Sequence, residues 1–228
     1  MSKKQIYDAL VAAGMTREGA CGLMGNFQAE SGLEAGRLQG DFSTYRTASR
    51  AYVAAVTAGI TTRQQFGSDQ QGFGLAQWTY VNATRTAGRK FDLYDFWKDS
   101  GLPLDSEEMQ VAFAVHELRT TYTAVWAVLT ASHDLYQCAE IVCLKYECPK
   151  VNNVDARFQF AVRIFDELAA GPQPEPEDPD KGVADPIVRM LQACMAHDRA
   201  WPEDKIDGVK TPEFRTAIVE YAAEVASC

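Results

Sequence analysis

The sequence predicts a mainly α first domain with a small β component, followed by a small all-α second domain. Three observations carry this. Apolar residues recur at helical spacing through much of residues 3–170, strand patterns are sparse outside the Gly-rich stretch Gln71–Trp78, and prolines and acids interrupt the chain at 171–180. In Gly171-Pro-Gln-Pro-Glu-Pro-Glu-Asp-Pro-Asp180, four prolines and four acids fall within ten residues. Nothing apolar can be buried there, and prolines and like charges extend the segment into a semi-rigid spacer. The expected organisation is therefore a first domain over 1–170, a linker over 171–184 and a helical domain over 185–228. A chain of 228 residues supports one core of ordinary size and a small satellite.

Taken in order, Lys3–Ala13 carries Ile6, Leu10 and Val11 at helical spacing, and Gly14 supplies a C-terminal stop. Thr16 caps a second predicted helix that runs to about Glu30. Asp105-Ser-Glu-Glu108 reads as a capping box, opening a helix with Met109, Ala112, Phe113 and His116 on one face. Further helices are predicted over Thr123–Leu129, Asp134–Tyr146 and Asp155–Ala170. Beyond the linker, Asp185 caps a helix that turns Val188, Leu191, Cys194 and Met195 inward. Thr211, with Pro212 in the first turn, opens another carrying Phe214, Ala217, Ile218, Tyr221 and Val225. No internal repeat is visible.

Composition narrows the function classes. Hydrophobic residues at 46% and charged residues at 23% exclude wholesale disorder and a rod. A net charge of −9 argues against nucleic acid as a partner. No run approaches the roughly 18 apolar residues of a membrane span, so no membrane partner is expected. Met1-Ser2-Lys3-Lys4 has the charge of a signal n-region, but Gln5, Tyr7 and Asp8 interrupt the apolar segment that should follow. Synthesis in a cytoplasm without a signal peptide is the expectation, with Cys21, Cys138, Cys143, Cys148, Cys194 and Cys228 as thiols.

Two segments concentrate the chemistry. Gly19, Gly22 and Gly25 recur every third residue in the second helix, at a cost of about 1 kcal/mol each relative to alanine, so something must approach that face closely. The same helix ends in Gln28-Ala29-Glu30-Ser31-Gly32. Glu30 sits at the negative end of the helix dipole, with Leu23, Met24 and Phe27 a turn behind it. Both effects favour a protonated carboxyl, the requirement for a general acid at neutral pH. In the second segment, Gly72-Phe-Gly-Leu-Ala-Gln-Trp-Thr79, glycines permit close backbone approach. Gln77 offers a donor and an acceptor, and Phe73, Trp78 and Tyr80 offer flat faces. Such a set suits a sugar, with its C–H faces and hydroxyl edges. A structural turn is the plain alternative.

Together, Gly25-Asn-Phe-Gln-Ala-Glu-Ser-Gly-Leu33 and Gly72-Phe-Gly-Leu-Ala-Gln-Trp-Thr79 resemble the phage tail lysozyme type of peptidoglycan-cleaving domain found in tail-associated lysins and endolysins. The likeness continues through Arg85 and Arg89, Gln110 to Glu117-Leu118, and Glu147-Cys-Pro149 with Arg157 and Ala161, covering most of residues 5–169. More distantly, Glu30-Ser31 and Gly74-Leu-Ala-Gln77 are similar to motifs of goose-type lysozymes and lytic transglycosylases, which carry Met where this chain has Ala76. The resemblance implies a mainly α, α+β lysozyme-like catalytic domain. It makes Glu30 the acid that protonates the bond between N-acetylmuramic acid and N-acetylglucosamine, and places Gln77 and Trp78 in the saccharide groove. A second carboxylate, where hydrolysis needs one, would come from Asp41, Asp69 or Glu117. Glu117, at the border of an apolar face, also reads as a structural acid paired with an arginine such as Arg157.

The tail pattern Val188-Arg-Met-Leu-Gln192, Ile206-Asp-Gly208, Thr211, Ala217-Ile218 and Tyr221 resembles a small helical peptidoglycan-binding module. A monomer, or a weak oligomer formed through this domain, is expected. Action at the cell wall would follow holin-type release or delivery in a virion tail. No cofactor and no metal are expected, since Cys138, Cys143 and Cys148 recur every five residues rather than at zinc-ligand spacing. Two alternatives stand beside this reading: a catalytically silent phage-tail or wall-binding protein, and a thiol amidase or endopeptidase using Cys21 with His116 or His133.

Overall fold

The structure, a computed structural model, describes residues 2–79 and 82–169. The expected linker and second domain lie outside the described residues, as does Tyr80. Within them the fold is built on helices: α1 Lys3–Ala12, α2 Arg17–Ser31, α3 Thr47–Thr57, α4 Arg63–Ser68, α5 Arg89–Ser100, α6 Glu107–Thr120, α7 Thr123–Ala131, α8 Leu135–Val142 and α9 Val154–Ile164. None of these is long and apolar enough to cross a membrane.

Helix α1 starts at a capping box in which the Ser2 side chain and Gln5 satisfy each other's backbone donors. Thr16 caps α2 as predicted by accepting from the Gly19 amide, and Gly32 closes it in the left-handed region at φ 72°. Helix α6 departs from its predicted cap. Its N-cap is Ser106, whose side chain accepts from the Met109 amide, so the Asp105 reading is corrected by one residue. The predicted helices over 134–146 and 155–170 each change pitch near the end: α8 passes into a π-helical turn, Cys143–Glu147, and α9 into another, Phe165–Ala169.

The expected β component is corrected as well. No strand forms among the described residues, and pairing is reduced to two isolated bridges, Leu38 with Phe73 and Phe73 with Trp78. The reason is local. Phe73 and Trp78 exchange both backbone hydrogen bonds, at 3.2 and 3.0 Å, but Gly74 (φ 80°) and Gln77 (φ 46°) turn the chain back between them.

Helix α2 organises the unit by packing chiefly against α8 and α9, with α7 at its N-terminal end. The glycine stripe shows what approaches it: other stretches of the chain's own backbone. A Cβ on Gly19 would lie 2.0 Å from the Leu129 carbonyl oxygen, one on Gly22 2.7 Å from Cys138 Cβ, and one on Gly25 2.6 Å from the Arg157 carbonyl oxygen. The helix-propensity cost at these positions is the condition for three close approaches along one helix. Gly25→Ala is therefore expected to lower the melting temperature by several degrees, because α9 must shift and overpacking costs about 1–3 kcal/mol against a propensity gain of about 1. Thermal denaturation checks this, and a raised melting temperature would contradict it.

Candidate active site

The C-terminal turns of α2 and the first turn of α9 hold Glu30. Asn26 and Glu30, four residues apart, share a helix face, and Arg157 enters from α9 to bind both. Its Nη1 donates to Asn26 Oδ1 at 3.1 Å and its Nη2 to Glu30 Oε1 at 2.5 Å. Asn26 is completely buried and donates from Nδ2 to the carbonyls of Gly22 and Ala139. The guanidinium therefore approaches Glu30 from a fixed platform, and the Glu30 side chain keeps 22% of its surface exposed. The apolar residues expected behind it, Leu23, Met24 and Phe27, are all in the core. The carboxyl's direct partner is nevertheless a cation, Arg157, which the sequence reading did not anticipate.

The two motif segments meet at Ser31. Its buried hydroxyl lies 3.0 Å from the Phe27 carbonyl and 2.9 Å from the Leu75 carbonyl, tying the end of α2 to the Gly72–Trp78 loop. Gln110 of α6 clamps the same loop from below. Its Oε1 accepts from the Leu75 amide at 2.9 Å, while Nε2 donates to the carbonyls of Ala35 and Leu104. A Cβ on Gly74 would come within 2.4 Å of Gln110 Oε1, so that glycine is required by proximity as well as by its positive φ. Gln77 is partly buried and donates from Nε2 to the carbonyls of Arg37 and Gly74.

Of the aromatic residues expected to face a sugar, the two that the structure describes do not. Phe73 and Trp78 are 0% and 1% exposed. Trp78 packs edge-on against Phe113, and its Nε1 donates to Glu117 Oε2 at 2.7 Å. Glu117 is the hub of a buried network, with Arg89 gripping it through Nε at 2.7 Å and Nη2 at 2.9 Å and Tyr146 donating its hydroxyl at 2.8 Å. Its arginine is thus Arg89, not Arg157. Such a network rigidifies a core because every buried acceptor has a donor. A hollow of about 460 Å³ is lined by Arg89 and Glu117 of this network together with Asp92, Asp95, Asp99 and His116, and Glu30 is not part of its wall.

The other two candidate acids are also engaged. Asp41 accepts from the hydroxyls and amides of both Ser43 and Ser49, bonds that hold its carboxyl well below the usual range. Asp69 takes a bond from Lys90 Nζ at 2.5 Å and another from the Tyr52 hydroxyl. Lys90 is wholly buried, and burial draws its ammonium down while Asp69 opposes this. Asp69 thereby anchors Lys90 beneath the loop, where Nζ also donates to the Gln71 carbonyl at 2.8 Å.

The acid that sequence reasoning passed over is Glu147, the last residue of the π-helical turn after α8. The residue is partly buried, but its Oε1 is sealed from solvent without a hydrogen-bond partner. Burial pushes its carboxyl up to about 8, with Glu30 and Glu117 adding to the rise and Arg89 and Arg157 opposing it. The folded chain then retains a proton that the unfolded chain releases, so this group's contribution to stability falls as the pH rises from about 4.5 to about 8. The signal available in sequence was the apolar stretch before it, since Cys143 and Tyr146 are buried on the same turn.

The thiol expected for a Cys and His pair, Cys21, is not placed as a nucleophile. Cys21 is fully buried and burial pushes it up to about 12, while Cys138 is raised to about 11 for the same first reason. His133 is exposed on the surface with Glu18 3.2 Å from Nδ1. The thiol-amidase alternative is corrected on these grounds. With the geometry in place, comparison with known families is decisive: the profile of the phage tail lysozyme family matches residues 2–168. The chain belongs to that family. Phage tail lysozymes are peptidoglycan-lytic, lysozyme-like proteins, so peptidoglycan is the substrate class and lytic cleavage the activity class. No curated protein matches the chain.

Proposed function

We propose that this phage tail lysozyme cleaves the glycan strand between N-acetylmuramic acid and N-acetylglucosamine, with Glu30 as the general acid. The observation that carries the reading is the fixed, partly exposed Glu30 carboxyl, held through Oε1 by Arg157 where Ser31 joins α2 to the Gly72–Trp78 loop. A general acid needs a defined position facing the leaving oxygen, and the platform of Asn26 and Arg157 supplies one. Gln77, which is partly buried, remains the proposed saccharide contact, together with Tyr80.

Asp41, Asp69 and Glu117 all have their carboxylates bound to the protein's own donors. That favours a second reading of the product, in which a hydroxyl of the muramic acid replaces water and an anhydro end forms, since this route needs no separate base to activate water. Zymography on a peptidoglycan gel tests the lytic claim, with a cleared band expected. An unaltered gel would favour a catalytically silent tail or wall-binding protein.

For residues 185–228 we propose wall attachment, which raises the local substrate concentration without altering the groove. Truncation after Ala170 is expected to leave cleavage of soluble glycan fragments intact and to slow clearing of whole cells several-fold. Loss of both activities would contradict this. Release through a holin-type lesion or delivery in a virion tail is part of the same proposal.

A further inference from the structure

Two orphaned polar atoms lie in this charged cluster, and they are complementary. Glu147 Oε1 is a buried acceptor without a donor, and Arg157 Nε is a buried donor without an acceptor. Charged groups from four helices act on Glu147: Glu30 from α2, Arg89 from α5, Glu117 from α6 and Arg157 from α9. Tyr122, Tyr146 and Cys143 share its field. The two guanidiniums are already committed, Arg89 to Glu117 and Arg157 to Glu30. A third carboxylate has no cation of its own unless one of these changes partner. Buried carboxyls left in this position keep their protons. The irregular turn that carries Glu147, in which the Cys148 amide closes on the Cys143 carbonyl at 2.9 Å, aims a side chain where an ordinary helix would not.

We propose that Glu147 is a positioning residue of the active site: it holds a proton that passes to Glu30 while Arg157 changes partner from Glu30 to Glu147. In this step the O–H bond on Glu147 breaks and one on Glu30 forms. The negative charge moves from Glu30 to Glu147, where Arg157 Nε receives it, and the cluster's net charge is unchanged. Glu30 is thereby supplied with the proton that a general acid must carry, although its resting partner is an arginine. The inference rests on Glu30 being that acid.

The test is a pH profile of cleavage of soluble glycan fragments by the full chain, its Glu147→Gln variant and its Glu30→Gln variant. The wild type is expected to lose activity as the pH rises through about 8, where Glu147 gives up its proton. Glu147→Gln keeps the shape and removes the transferable proton. It should lower the rate at pH 7 by about tenfold or more and move the alkaline limb down by about one unit, with folding at pH 6 unaffected. An unchanged profile, or a uniformly reduced rate with the limb in place, would overturn the proposal. Should the variant fail to fold, NMR titration of glutamate carboxyls in the wild-type chain decides: one carboxyl titrating near 8 supports the proposal, and none above 7 refutes it. If Glu30→Gln remains active, the acid assignment itself has failed. If it is inactive while the limb of Glu147→Gln stays put, only the present inference falls.

Discussion

Replacing Glu30 with glutamine should reduce the rate of peptidoglycan lysis by about 10²-fold or more, the range that a positioned general acid contributes. Glutamine preserves length and leaves an oxygen to accept from Arg157 Nη2, so the platform formed by Asn26 and Arg157 can persist. What it removes is the proton and the charge. Arg157 is 6% exposed and loses its counter-ion, so a lower melting temperature is expected beside the loss of rate. The partly exposed Glu30 side chain and the nearby Glu147 carboxyl both soften that cost. A folded variant with near wild-type lysis would remove Glu30 from the mechanism.

Trp78→Ala should instead act on the fold. Truncating a fully buried tryptophan costs about 3–5 kcal/mol, which for a domain of this size lowers the melting temperature by roughly 6–20 °C. The side chain fills the space beside Phe113 and donates to Glu117 Oε2, so its loss opens a cavity and also removes one of the donors on a buried carboxylate. Trp78→Phe keeps most of the ring volume without the N–H and should fall between the two. Calorimetry on the three proteins checks the order, and a melting temperature for Trp78→Ala within a few degrees of wild type would mean that the ring does not serve the core.

The elements that sequence disclosed were those whose local signals agree with one another. Helix α2 has a cap at Thr16, a stop at Gly32 and apolar residues between them, and its glycines already required a close neighbour. Helix α3 had no such punctuation: its N-cap is Arg46 in the left-handed region, without a capping side chain, and only Ser49 and Val56 of its residues are buried. For α4 the signal existed in the capping box of Thr62 and Gln65, but six residues are too few for a periodicity to show. The site divides in the same way. Glu30 and the Gly72–Trp78 loop were each legible because glycines and a helix terminus mark them locally, whereas the Ser31 bond that joins them spans 44 residues and was not. Arg157 with Glu30, Arg89 with Glu117, and the burial of Trp78 depend on contacts over 127, 28 and 39 residues. An aromatic residue in a Gly-rich turn fits a sugar face and a core equally well until its neighbours are known.

The central claim is that this lysozyme-like site cuts the glycan at a bond protonated by Glu30. Mass spectrometry of the fragments released from purified peptidoglycan by the wild type and by Glu30→Gln tests it most directly. The expected result is disaccharide-based fragments with intact stem peptides from the wild type, ending in either a reducing or an anhydro muramic acid, and their absence with the variant. Uncut glycan strands with cleaved peptides, or equal fragment yields from both proteins, would contradict the account.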